Sequence, residues 1–548
     1  MALTRRHLLG TASLAGLSLS WPAAAQVAAQ DAPAQEAPAK EAPAKGGTLT
    51  VVMYPEPPYL LSAVDPTLQM AVVTTKMTEG LMWYDLDMKP HPQLAERWEV
   101  AADGLSWTFH LRQGVKWHDG QDFTAADVAY SLSVWKTRHA RGRQSFQKVT
   151  EVETPDAHTV VIRLSAPSPQ LATVWSAYES PIIPKHVFDG TDLMTNKAAA
   201  APIGTGPFRF KEWVRGDHLI MERNPDYWDA GKPYLDRVVF RFIADAGSRT
   251  AALESGEAQI GCLTPVPLSD MARLTAGKDL VATTDGYDYM APVLLMQINT
   301  RKPPLDNRLV RQAVAYAINR DALTKTVWFG FGKPATGPIP SVVKAWYTTD
   351  GVPAYPYDIK KAEALLDQAG LKRGADGKRF KIQTDAFPGG AEFTRTAEFI
   401  KQQLGRVGID VEIRTSDLPS YVRRVYGEYD FETSSMYNGA FPDPSAGIQR
   451  MYWSKAAQKG VPFVNPTGYS DPEVDRFFED AQTQNDPRKR WDDYAGLQRQ
   501  VMTDLSVVPL MEMRFVTVAN RRVRNHTISA DGLIGSNFAT AWLALAAG

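Results

Sequence analysis

Residues Leu94 to Val128, LAERWEVAADGLSWTFHLRQGVKWHDGQDFTAADV, decide how the rest of the chain is to be read. From Ser106 to Arg112 the side chains alternate with period two. Trp107, Phe109 and Leu111 share one face, and Ser106, Thr108, His110 and Arg112 share the other. That alternation predicts a half-buried strand. Gln113-Gly114 breaks it, a second short strand carries Val115 and Trp117, and Asp119-Gly120 supplies a turn able to adopt positive φ. Thr124 stands three residues ahead of Asp127, the spacing of a capping box, and the helix that follows has the apolar stripe Val128, Leu132, Trp135. Strand, turn, strand, turn and capped helix make a consistent fragment of a mixed α/β protein.

The same signals recur outward from this segment. Leu49 to Tyr54 is an apolar strand that opens the folded part. Asp358 caps a helix with the stripe Ala362, Leu365, Leu366, Ala369, ended by Gly370. Phe380 to Thr384, a helix around Phe393 to Leu404, the stop at Gly408 and Ile409-Val411-Ile413 predict a βαβ unit with parallel strands. A helix from Pro487 to Asp504 precedes closing strands at 507–513 and 515–518.

The order and identity of the residues in DGLSWTFHLRQGVKWHDGQDFTAADV resemble the signature of the dipeptide/oligopeptide-binding proteins, the family 5 extracytoplasmic solute receptors of ABC importers. The resemblance continues in collinear order at Ile203–Trp228, Leu235–Gly261, Asn299–Leu323, Phe441–Gly447 and Tyr469–Gln482. It implies a type II periplasmic binding protein fold of the α/β class, with a ligand cleft between two lobes. The N-terminal lobe would be discontinuous, built from 46–83, 200–295 and 510–548, with an extra domain over 84–199. Residues 296–509 would form the second lobe. The partners implied are a peptide-like solute and the membrane permease of an ABC transporter.

Composition is compatible with this. A chain of 548 residues is too long for one core. Its 44% hydrophobic and 22% charged content is that of a soluble globular protein. A formal net charge of −1 gives no electrostatic reason to bind nucleic acid or anionic membrane. The single cysteine, Cys262, flanked by Ile260 and Leu263, precludes an intramolecular disulfide and predicts a small hydrophobe in the core. The receptor is expected to be a monomer.

The N-terminus carries an export signal over 1–25. Arg5-Arg6 follow Thr4, a diluted apolar run extends to Leu19, and Ala23-Ala24-Ala25 ends it with a cleavable A-x-A. The twin arginines resemble the Tat consensus, although Leu8 and Gly10 depart from it and leave the Sec route open. With no Cys near the cleavage site, the mature protein is expected to be soluble and unlipidated in the periplasm. Residues 26–45, rich in Ala, Pro and alternating charge, read as a disordered tether.

No catalytic, cofactor or metal constellation emerges. None of the nine His forms H-E-x-x-H, and none lies between His218 and His526. The S-x-x-K matches at Ser145 and Ser341 lack a K-T-G partner, and no G-x-S-x-G elbow is present. Two residues are candidates for ligand contact through the resemblance. Asp443, in the loop Tyr437-Asn-Gly-Ala-Phe-Pro-Asp443-Pro-Ser, matches the carboxylate that takes a peptide's α-ammonium; a plain Asp-Pro turn is the alternative. Arg395, in Arg395-Thr-Ala-Glu398 near a helix N-terminus, matches an arginine that pairs with a ligand carboxylate; a solvated helix-face arginine is the alternative. Gln449, Arg450, Tyr452 and Trp453 lie within reach of the Asp443 loop, with their facing left open. An oligosaccharide, opine or metallophore receptor of the same fold, and a periplasmic peptidase, remain as other readings.

Overall fold

In the computed structural model, residues 42–545 are described; the export signal and nearly all of the tether lie outside them. Two large sheets organise the described chain. The first has seven strands in the order Leu280–Thr283, Thr517–Asn520, Ile260–Gly261, Thr48–Met53, Arg237–Phe242, His218–Arg223 and Phe208–Val214. Its central strand 48–53 pairs in parallel with 237–242 on one side and with 260–261 on the other. The second sheet has six strands, Gly332–Pro334, Val507–Met513, Pro292–Ile298, Thr433–Gly439, Phe380–Ala386 and Ile409–Arg414. The chain therefore builds a two-lobed α/β protein whose first lobe is assembled from separate stretches.

The βαβ unit of the second lobe follows its sequence pattern. Phe380 pairs with Ile409 and Asp385 with Arg414 in a parallel register, and the helix Ala391–Arg406 crosses between them. That helix buries Phe393, Ala397, Ile400 and Leu404 against the sheet. Pro292–Ile298 and Val507–Met513 both lie whole within the second sheet, where they pair with each other, so the expected lobe boundaries at 296 and 509 fall inside paired strands. The closing strand expected at 515–518 is Thr517–Asn520, in the first sheet.

Residues 84–199 contain a separate four-stranded antiparallel sheet, ordered Ala95–Val100, Ser106–Leu111, Thr159–Leu164, Val149–Asp156. In Ser106–Leu111 the buried positions are Trp107, Phe109 and Leu111, the face predicted from period two. The helix Ala125–Thr137 starts at the Thr124 capping box and buries Val128, Leu132 and Trp135 beneath the sheet. The second short strand of the signature is reduced to a single bridge between Lys116 and Asp122, since the chain turns back after only a few residues. Trp117 is nonetheless fully buried. Cys262 is buried in the first-lobe core, where burial pushes its thiol up to about 12.

Candidate ligand-binding cleft

Between the lobes lies a cleft of about 350 Å³ to which both contribute. The first lobe supplies the segment 65–69, Arg141 just beyond the helix Ala125–Thr137, and Tyr178. The second lobe supplies Met436 to Gly439 from the strand Thr433–Gly439, together with Phe387, Arg450 and Phe463. The aromatic wall is ordered by mutual packing. Phe387 meets Tyr437 edge-on at 5.9 Å and Phe463 at 6.5 Å between ring centroids. Such contacts add to area burial and hold the rings in place.

Two guanidinium groups face this space. Arg141 is paired: its Nε donates to Glu179 Oε2 at 2.8 Å, and its guanidinium stacks on Tyr178 at 4.7 Å. Desolvation opposes its charge, but the Glu179 carboxylate outweighs that and raises its pKa. Its Nη2 and Glu179 Oε1 have no hydrogen-bond partner. Arg450, on the short helix Gln449–Tyr452, is different. Its Nη2 donates to Asn438 Oδ1 at 2.9 Å, its Nε is buried without a partner, and no carboxylate among the described residues forms an ion pair with it. Burial, reinforced by the like charge of Arg141, lowers its pKa to about 10, so it stays charged at neutral pH.

Neither residue singled out by sequence resemblance lines this cleft. Asp443 is only 2% exposed. It caps the helix Pro444–Gly447, with Ser445 N donating to Oδ1 at 3.0 Å. Its Oδ2 receives Arg490 Nη2 at 2.5 Å, and Oδ1 receives Tyr494 OH at 3.1 Å. Burial alone would raise its carboxyl, but the Arg490 charge and the hydrogen bonds from Ser445 and Arg490 hold it below the usual carboxylate range. Both oxygens of Asp443 thus have partners within its own lobe. Arg395 sits in the second turn of the helix Ala391–Arg406 and is exposed, on the solvated face beside the buried Thr396 and Ala397.

Sequence reasoning placed Arg450 near the cleft without fixing its direction, and it missed Arg141. Nothing in Arg138-His-Ala-Arg141-Gly-Arg143 distinguishes the one arginine that turns inward. Arg490 as the partner of Asp443 was likewise hidden, 47 residues away on the helix Pro487–Asp504. Among the described residues no group of His, Cys, Asp and Glu could hold a metal ion, and no helix is long and apolar enough to cross a membrane.

A bilobal α/β chain with a polar and aromatic cleft between its lobes has the architecture of a solute-binding protein. The model of the bacterial extracellular solute-binding proteins, family 5, matches residues 89–459, and the chain belongs to that family, whose members serve as receptors of ABC importers. It is 30% identical over 480 residues to the glutathione-binding protein GsiB of Salmonella typhi, covering 85% of this chain and 88% of that protein. Among solved structures, it resembles DppA of Helicobacter pylori in complex with the peptide STSA. There the identity is 26% and the TM-score 0.76, over 92% of this chain and 99% of that one. It also resembles AgaA of A. tumefaciens in complex with agropinic acid. The identity is 28% and the TM-score 0.74, over 91% of this chain and 99% of that one.

Proposed function

We propose that this chain is a periplasmic receptor that captures a small peptide or peptide-like solute between its lobes and delivers it to the membrane permease. The observation that carries this reading is the cleft itself, walled by both lobes, with aromatic faces for apolar side chains and polar groups for a peptide's ends. Relatives that bind glutathione and a tetrapeptide support the substrate class. An opine-like carboxylate is the second reading, supported by the likeness to the agropinic acid receptor and by the arginines in the cleft. The receptor performs no chemistry, acts as a monomer and binds no nucleic acid. Its export follows the Tat route from Arg5-Arg6, and the mature protein, starting near Gln26, is unlipidated.

Ligand shifts the balance between open and closed forms because its contacts with both lobes exist together only in the closed form. The test is native mass spectrometry of the protein purified from periplasm, with the released solute then identified. A bound peptide or opine supports the reading; a bound sugar, or turnover of labelled peptides, overturns it. N-terminal sequencing of the same material checks cleavage near Gln26. Export that survives replacing Arg5 and Arg6 by Lys would assign the Sec route.

A further inference from the structure

Of the two arginines that face the cleft, Arg450 is the one without a carboxylate partner among the described residues. Its Nη2 reaches only the neutral amide oxygen of Asn438, its Nε is buried without a partner, and no described carboxylate is paired with it. By contrast, other inward-turned arginines are matched by carboxylates or, like Arg311 and Arg320, give their donors to several backbone carbonyls. Arg490 is paired with Asp443, Arg414 and Arg424 share the fully buried Asp385, and Arg141 holds Glu179. A half-buried guanidinium without a counter-ion is costly, and the cost is removed when an anion is supplied from outside. Arg141 lines the same cleft from the other lobe and keeps an unpartnered Nη2.

We infer that Arg450 is a specificity-determining residue that takes a carboxylate of the solute, with Arg141 approaching the same group from the opposite lobe. The inference rests on the receptor reading above and narrows it: the solute must bring at least one anionic group into the cleft. It also gives closure an electrostatic element. With the cleft empty, the two guanidinium groups repel and favour separation of the lobes. A carboxylate between them removes that repulsion and contributes charge-assisted hydrogen bonds to both. Arginine suits the task because its planar fork matches a carboxylate bidentately.

Two measurements on the mature, exported protein decide the matter. In the first, the melting temperature of the ligand-free protein is followed in sodium acetate and in sodium chloride at equal ionic strength. Acetate is expected to stabilise wild type above chloride, Arg450→Lys to keep part of the effect, and Arg450→Gln to lose it. No preference for acetate in wild type, or an equal preference in Arg450→Gln, overturns the inference. In the second, calorimetry compares glutathione with its diethyl ester. Wild type is expected to bind the acid at least roughly thirtyfold more tightly than the ester, and Arg450→Gln to lose affinity for the acid by a similar factor. Equal binding of acid and ester overturns the role of Arg450 while leaving the receptor reading intact. Binding of neither counts against the peptide reading, and the acetate measurement still decides Arg450.

Discussion

Asp443 illustrates how burial changes what a carboxylate does. It lies on a Pro-flanked loop, and the fold closes Arg490, Tyr494 and Ser445 around it. Arg490 is itself fixed, its Nε donating to Ala481 O at 2.7 Å and its guanidinium lying 4.8 Å from the Trp346 ring centroid. Removing one member leaves the other charge buried and unpaired, so Asp443→Ala is expected to cost about 3–5 kcal/mol of stability. Urea unfolding measures this, and a variant as stable as wild type would return Asp443 to the role of a ligand contact. Glu79 gives a second expectation at this scale. It is fully buried, with Tyr227 OH at 2.7 Å and Trp228 Nε1 at 2.8 Å donating to it, and among the described residues no cation pairs with it. Burial outweighs those donors and raises its pKa to about 7 from the ordinary 4.5. Between those values the folded form binds more protons than the unfolded one. Its contribution is therefore complete below about pH 4.5 and is lost as pH rises through 7. Glu79→Gln should flatten the fall in melting temperature across that window, and an unchanged slope would refute the assignment.

At the scale of elements, the signature segment is held together by Asp127. Its Oδ2 receives Thr124 N at 2.9 Å as the returning half of the capping box, while Oδ1 receives Lys185 N at 2.8 Å from the start of another short helix. One buried carboxylate thus ties two helix starts together. Asp127→Ala loses a cap and strands two amides, so it is expected to destabilise by about 2–4 kcal/mol in thermal or urea unfolding. Thr124→Ala, which removes only a hydroxyl, should cost about 1 kcal/mol. Elements of this kind were legible because their determinants are local. The period-two face of Ser106–Leu111, the cap at Asp358 and the stop at Gly408 each act within a few residues of chain. The lobe boundaries were less legible, because whether Pro292–Ile298 joins one sheet or the other depends on Val507–Met513 and Thr433–Gly439, far away in sequence. The cleft was the least legible part. The resemblance nominated Asp443, whereas its pairing with Arg490 is made by tertiary packing between residues 47 apart in sequence. The inward turn of Arg141 is set by Glu179, 38 residues further along the chain, and by Tyr178, which no local pattern records.

Across the whole molecule, the extra domain and the second lobe are joined by direct hydrogen bonds as well as by the cleft. Lys148 Nζ donates to Gln482 O at 2.6 Å across the lobes and to Pro167 O at 2.9 Å within its own. Gln144 Nε2 donates to Ser445 O at 2.9 Å, and Asn485 Nδ2 to Asp103 O at 3.0 Å. Bonds of this sort exist only when the lobes are together, so they bias the protein toward closure before ligand adds its own contacts. Lys148 is the strongest of them, because a bond from a charged donor contributes about 1.5–3 kcal/mol. Replacing it with Met keeps the apolar stem and removes the donor. The closed population then falls, and the apparent dissociation constant rises in inverse proportion to the fraction that remains competent. Lys148→Met is therefore expected to enlarge the ligand-free radius of gyration in small-angle scattering and to weaken glutathione binding by roughly tenfold, the equivalent of about 1.4 kcal/mol. The ligand-saturated radius should match that of wild type, since bound solute restores closure. A variant with weaker binding but an unchanged ligand-free profile would mean that Lys148 acts on the cleft itself, and an unchanged affinity would mean that these bonds do not hold the lobes.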